Sequence, residues 1–321
     1  MSETKFRRIN NLIGWLLLSV ALVTYGLTVE PTASYWDAGE YISTSAKLQV
    51  GHPPGAPFFQ MMGAVFSMFA SSNESIAIAV NFLSVVSSAF VILFLFWSTT
   101  LFLKKISKKN NCTNDTNILL SSSIGALAFT FSDSFWFNAV ETEVYALAML
   151  FLSATFWCGL RWEKDFDNKR GDKWLLLICF LIGLSFGVHF MAILTIPAIG
   201  MIYFFKKYKK ITIKNFVLAN IISVSILLFI FKLLLPSTLS LFGQLEVFFV
   251  NSIGLPFNSG SIIAAFLIVF FFYKSLSYTK IKGMVQANTL ILCILFIFIG
   301  FSSWLMLPIR SNANTVINEN S

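Results

Sequence analysis

The sequence predicts an all-α polytopic membrane protein with about nine transmembrane helices and one interfacial helix in its first outer loop. Three observations carry this. The chain is 56% hydrophobic and only 12% charged. Its apolar runs approach the roughly 20 residues that cross a hydrocarbon core about 30 Å thick. Its basic residues are confined to short gaps between those runs: Lys5, Arg7 and Arg8; Lys104, Lys105, Lys108 and Lys109; Arg161, Lys164, Lys169, Arg170 and Lys173; Lys206, Lys207, Lys209, Lys210 and Lys214; Lys274, Lys280 and Lys282. These gaps hold 20 of the 23 Lys and Arg. Short loops rich in Lys and Arg stay cytoplasmic, so all five belong on the inner side, leaving Lys47, Lys232 and Arg310 for the outer half. The formal charge of +8 is then a topology signal, and no face remains for a nucleic-acid surface.

The elements follow from that constraint. A first span over about Asn11 to Val29 leaves a cytoplasmic N-terminus, and is read as a retained helix rather than a cleaved signal because no small-x-small site follows it. The second span covers about Ile76 to Leu103. The third and fourth form a hairpin, about Ile118 to Phe137 and Val144 to Leu160. Trp174 to Phe205 would be about 48 Å long as one helix, so it is read as two short helices bent near Gly187 and His189. Phe216 to about Leu235, Ile262 to Tyr273 with its flanks, and Ala287 to Leu307 complete the set. Gly55 to Ala70 is too short to cross, and counting it would place the later Lys-rich loops outside; it is expected to lie in the outer interface. Residues 1–307 thus form one membrane domain with a long outer loop at 30–75, and 308–321 form an outer-face tail.

The cysteines give no disulfide frame, with Cys158, Cys179 and Cys293 in spans and Cys112 in an inner loop. No P-loop, GxGxxG, Gly-x-Ser-x-Gly or internal repeat is present. Asn73-Glu74-Ser75, Asn111-Cys112-Thr113 and Asn114-Asp115-Thr116 match the glycosylation acceptor pattern, the last two on the inner side, and all three are read as chance.

The remaining ionisable residues collect on the outer face, where polar groups near the membrane imply a wet or paired cavity. In Trp36-Asp37-Ala38-Gly39-Glu40-Tyr41, a helix would put Asp37 and Glu40 on one face, a pair able to hold one acid as a base near neutral pH. Solvated loop acids and aromatic anchoring by Trp36 and Tyr41 are the plainer alternatives. Gly51-His52-Pro53-Pro54-Gly55-Ala56-Pro57 is a stiff corner whose His52 could bind phosphate, share a proton with the acids, join them around a divalent cation, or simply cap a helix. Glu141 and Glu143 open a helix, where the dipole favours acids, within an aromatic surround suited to a sugar. His189 marks the bend of two short helices. Arg310, in Pro-Ile-Arg-Ser-Asn-Ala-Asn, offers a fork suited to phosphate.

With these motifs in order, WDAGEY (36–41), GHPPGAP (51–57), FWFNAVETEVYAL (135–147), GLSFGVHF (183–190), GLPFNSG (254–260) and IRSNAN (309–314), the chain resembles the GT-C superfamily of polyprenyl-phosphate-sugar-dependent glycosyltransferases. More closely, it resembles the membrane protein O-mannosyltransferases that are widespread in bacteria and include an animal enzyme acting on plexin-type receptors. The resemblance implies a GT-C-like fold and inverting transfer of a sugar, expected to be mannose. The donor would be a polyprenyl-phosphate sugar and the acceptors Ser or Thr hydroxyls of secreted or surface proteins. Transfer would occur at the outer face of the cytoplasmic (inner) membrane, with the active site facing the periplasm or exterior. It further implies Asp37 as catalytic base and Glu40 orienting Asp37 or the acceptor. His52 would lie beside that pair, Arg310 on the donor phosphate, and Glu141, Glu143 and His189 around the substrate. A divalent cation is left open, and 308–321 would be the truncated start of a further domain. The rival classes are a transporter or flippase of a lipid-linked precursor and a non-catalytic assembly subunit.

Overall fold

The computed structural model describes residues 1–109, 114–168 and 171–319. Of the positions singled out above, Asn111, Cys112, Thr113, Lys169, Arg170 and the last two residues of the 308–321 tail lie outside that set. The described residues contain no strand, only helices and one isolated parallel bridge, Val50 to Asn318.

Helix α1 (Glu3–Leu27) starts at Ser2, whose hydroxyl accepts from the Lys5 amide, and runs through the first apolar segment. Two short helices, α2 (Ala38–Ala46) and α3 (Pro57–Ser67), occupy the first outer loop; α3 has 11 residues and cannot cross a bilayer. The long α4 (Ile76–Lys109) is followed by α5 (Asp115–Thr130) and α6 (Asp133–Ala139), then α7 (Val144–Lys164). The 174–205 run splits as expected, into α8 (Gly171–Ser185) and α9 (Thr195–Lys207), joined by a turn and the 3-10 segment Phe190–Leu194. The last third comprises α10 (Ile213–Leu228), α11 (Leu235–Val247), α12 (Ser259–Ile281), α13 (Val285–Phe301) and α14 (Met306–Ser311).

Among the described residues seven helical segments are long and apolar enough to span a membrane, or eight when the bent pair α5 and α6 is taken as one. The ninth expected crossing is α8, whose 15 residues reach only about 22 Å. Two boundaries also differ from expectation. The third span is not straight: α6 turns 66° away from α5, because Ser132 and Asp133 begin a new helix before the apolar run ends. The seventh run does not stop near Leu235 but continues as one 40-residue helix, Ile213–Ser252. Pro236 lies inside this helix and cannot donate to its ladder; the π turn Phe229–Leu234 directly before it accommodates the misfit, and a second π turn, Phe248–Ser252, closes the helix.

The bundle has a basic end and an acidic end. At the basic end the N-terminal amine lies 3.0 Å from Asp115, Lys206 lies 3.3 Å from Asp167, and Lys105 pairs with Glu163. At the acidic end the Glu30 amide donates to the Val140 carbonyl, the Phe58 and Phe59 amides donate to Gly187, and the Trp304 indole donates to Phe186. Between the ends, α8 and α13 touch backbone to backbone: a Cβ on Gly183 would sit 2.0 Å from the Ile297 carbonyl oxygen, a small-residue contact of the kind that lets membrane helices approach. The outward faces of α1, α10 and α12 expose Leu12, Leu16, Ile221, Ile222, Ile262, Phe266 and Phe271, as a lipid-facing surface does.

Candidate functional site

The acidic end brings together most of the residues singled out by sequence. Asp37 is the residue that caps α2, and Glu40 lies in the first turn. Both carboxylate oxygens of Glu40 are taken by His52: the backbone amide donates to Oε1 at 2.7 Å, and Nδ1 lies 2.9 Å from Oε2. Gly51 makes that approach feasible, since a Cβ there would meet Glu40 Oε1 at 2.6 Å. The outer nitrogen of the ring, Nε2, then faces Asp37 at 3.9 Å. Hydrogen bonding to Glu40, opposed by burial and assisted by the charges of Glu40, Asp37 and Glu319, raises the His52 pKa. Asp37, its side chain 55% exposed, is the open member of the set, flanked by the exposed rings of Tyr35 and Trp36. Trp36 adopts a left-handed φ of 62°, a conformation a bulky residue seldom takes and one found where neighbouring structure fixes it.

Beside Asp37 stands a second acid, Glu143, whose pKa is shifted. Its side chain is buried at the start of α7, and burial, then the charge of Asp37, then that of Glu141, push its pKa up to about 7, against the pull of the Val144 and Asp37 amides. The Glu40 half of the expected pair is instead an orienting group for His52. Glu141 is also buried, and burial followed by the Glu30 charge raises it. Tyr41 is not an interfacial anchor: it is buried, its ring 5.7 Å from His52 and 5.2 Å from Phe59, and burial with the surrounding carboxylates raises its pKa.

His189 stands beside Tyr145 and Phe190. Its ring lies 4.4 Å from Phe190 and 5.7 Å from Tyr145, burial lowers its pKa, and its Nδ1 is buried with no hydrogen-bond partner among the described residues. Arg310 is turned inward: its guanidinium donates to the Leu48 and Lys47 carbonyls, so its fork meets backbone at the end of α2 rather than the front of the site. The tail beyond it folds back along the same strip, with the Val50 amide donating to Ile317 and the Glu319 amide to Val50. This is how Glu319, which no motif singles out, comes near His52.

Asn81 was also missed. Buried in the apolar α4, it donates to the Glu30 and Thr32 carbonyls at 2.6 and 3.0 Å and accepts from the Thr142 hydroxyl, tying the first loop to the Glu141–Glu143 segment. A lone amide in an otherwise apolar run was the available signal. For a divalent cation, Asp37, Glu40 and His52 offer ligand atoms within 4.8 Å of one another. With Glu40 engaged by His52, the set resembles a histidine oriented by a carboxylate, leaving Nε2 and Asp37 as the free donors.

The family model described as protein O-mannosyl-transferase TMEM260 N-terminal domain matches residues 37–212, just over half of the chain. The chain belongs to this family. Its relatives include the protein O-mannosyl-transferase tmem260 of Dictyostelium discoideum, 29% identical over 158 residues, which are 48% of this chain and 18% of that protein. The TMEM260 protein O-mannosyl-transferase of Mus musculus is 29% identical over 168 residues, 52% of this chain and 22% of that one. The matched part therefore spans about a fifth of the length of these curated relatives. No solved structure matches. The TMEM260 N-terminal domain match begins at Asp37 and contains Glu40, His52, Glu141, Glu143 and His189, whereas Arg310 and Glu319 lie beyond it.

Proposed function

We propose that the acidic end is the active site of an inverting glycosyltransferase. It would move a mannosyl group from a polyprenyl-phosphate donor to Ser or Thr hydroxyls of exported proteins, at the outer face of the cytoplasmic membrane. The names of the relatives support protein O-mannosylation. The lipid-linked donor is supported by a polar site at one end of a bundle whose flanks are apolar: the tail stays in lipid while the phosphate and sugar reach Asp37. The observation that carries the reading is the alignment of Glu40, His52 and Asp37, an exposed carboxylate with an oriented ring 3.9 Å behind it.

In this mechanism Asp37 takes the proton of the acceptor hydroxyl as its oxygen bonds to the anomeric carbon. The bond from that carbon to the phosphate oxygen breaks, and polyprenyl phosphate leaves with the electron pair. His52, held by Glu40, lies 3.9 Å from Asp37 and, when protonated, is placed to meet the phosphate charge. Glu143, with its proton retained up to about pH 7, is placed to donate to a sugar hydroxyl or to the acceptor. Arg310 acts by fixing Lys47 and Leu48, which carry the chain into Gly51 and His52. Any divalent cation would sit between His52 Nε2 and Asp37 and offset the phosphate charge there.

The test is Asp37→Asn, assayed with a polyprenyl-phosphate mannose donor and a Ser/Thr peptide. The expected outcome is transfer reduced by at least a hundredfold with donor binding intact, as for loss of a general base. Transfer at the wild-type rate would remove Asp37 from this role. Trans-bilayer movement of the donor that survives the substitution and depends on the protein alone would favour the flippase reading.

A further inference from the structure

The end of the bundle opposite the acidic site holds a pocket lined by basic residues. A cavity of about 370 Å³ opens between the start of α1, the end of α4 and the end of α7, lined by Arg7, Lys104, Arg161 and Lys164 together with Asn10 and Trp97. Glu3 is the one carboxylate among its lining residues. The nearby acids are occupied elsewhere: Glu163 pairs with Lys105, and Asp165 accepts from the Trp174 indole at 2.9 Å. Among the lining residues, four cations therefore face a shared space against one acid.

Three of its lining residues carry buried polar atoms with no hydrogen-bond partner among the described residues: Arg161 Nε, Asn10 Oδ1 and Trp97 Nε1, the last against Gly14. The Arg161 guanidinium is flanked by the Trp157 and Trp174 rings at 5.7 and 5.4 Å, and Lys104 lies over the Phe6 ring at 3.9 Å, so these cations are held in place by aromatic faces rather than loose in solvent. A fixed guanidinium with an unsatisfied buried donor is an arrangement that wants an anion with acceptor oxygens. The pocket's depth fixes the kind of anion. From Asn81, level with the acidic site, to Lys104 is about 35 Å along α4, close to one hydrocarbon thickness. The cavity thus opens at headgroup level of the opposite leaflet.

We propose that this pocket binds the phosphate headgroup of an anionic phospholipid, with Arg7, Lys104, Arg161 and Lys164 on the phosphate oxygens and the acyl chains lying along the exposed faces of α1 and α4. The bound lipid would clamp three helices whose other ends carry the acidic site. General attraction of a Lys-rich face for anionic lipid spreads over all five basic clusters; the bound lipid here is specific to one cavity.

Native mass spectrometry of the purified protein in micelles tests this, with phosphatidylglycerol, phosphatidylcholine and inorganic phosphate as probes. The expected result is retention of one phosphatidylglycerol with at least tenfold preference over phosphatidylcholine. That preference should fall to near unity in the Arg7→Gln, Lys104→Gln double variant and remain in Lys209→Gln, which removes a charge from the same end away from the cavity. Because Arg161 also braces Trp157 and Trp174, Lys164→Gln serves as the second probe of the pocket, with a drop of several-fold expected. Equal retention of the two lipids, or equal losses in the pocket and control variants, overturns the proposal. So does inorganic phosphate displacing phosphatidylglycerol at equal concentration, which would assign the pocket to a free anion instead.

Discussion

Glu143 and Asp37 are far apart in sequence, yet burial of Glu143 and then the charge of Asp37 beside it raise the Glu143 pKa. A carboxyl whose folded pKa is raised to about 7 binds a proton that the unfolded chain has released above about pH 4.3. Native protein then binds more protons than unfolded protein between those values, so this group's contribution falls as pH rises through that window and stays lost above it. Glu143→Gln removes the penalty. The expected outcome is a variant more stable than the wild type by on the order of 1–3 kcal/mol at pH 8 and nearly equal to it at pH 4, read by thermal unfolding in micelles. The same variant should lose the wild-type fall in transfer above about pH 7. His52 changes stability in the same direction with pH: its raised pKa adds stability below about pH 6.5 that disappears as pH rises through the folded value. Glu40→Gln should lower the His52 pKa toward its ordinary value, which proton NMR of the imidazole would register. The Asp37, Glu40 and His52 cluster was legible because its members fall in two short polar motifs between apolar runs, where an ionisable residue has little other use. The partner of Asp37 was not, since local spacing favours Glu40 while only tertiary folding brings Glu143 in.

Buried Asn81 shows what an element contributes beyond its apolar face. Through it α4 holds the Glu30–Thr32 turn and the Thr142 hydroxyl in one network, and so sets where Glu141 and Glu143 sit. Asn81→Leu keeps the number of side-chain heavy atoms and leaves the buried Thr142 hydroxyl without its partner, along with the Glu30 and Thr32 carbonyls, which water can reach. At about 1–3 kcal/mol for a buried unsatisfied group, a net loss of about 1–3 kcal/mol is expected, seen as a lower unfolding temperature. Thr142→Val should cost less, and the double variant less than the sum of the two, because they share one bond. Equal additivity would mean that the two residues act separately. Helix existence was legible here and helix shape was not. Long apolar runs announced α1, α4, α7, α12 and α13, but the 66° break falls at Ser132, whose hydroxyl donates back to the Phe129 carbonyl at the end of α5, a local bond that the hydropathy pattern does not register. Likewise the π turn that carries Ile213–Ser252 through Pro236 has no sequence signature, because the hydropathy pattern reads composition and not backbone winding.

At the scale of the whole molecule, the five basic clusters and the acidic site occupy opposite ends. Ion pairs and the shared cavity join the first four clusters, and the fifth lies where α12 turns into α13, whose start runs alongside that of α8. The separation was legible because charge is so sparse that its placement is nearly all topology. The tail's return to Val50 was not, because a single parallel bridge carries no periodicity. If Lys and Arg retention sets the orientation, Ser71, exposed just before α4, lies outside, and Lys209, exposed between α9 and α10, lies in the cytoplasm. In a background with Cys112, Cys158, Cys179 and Cys293 replaced by Ser, Ser71→Cys should react with a membrane-impermeant maleimide in intact cells. Lys209→Cys should react only after permeabilisation. Labelling of position 209 in intact cells with protection at 71 would invert the bundle and put Asp37 in the cytosol, where neither an exported acceptor nor an outer-leaflet donor could reach it.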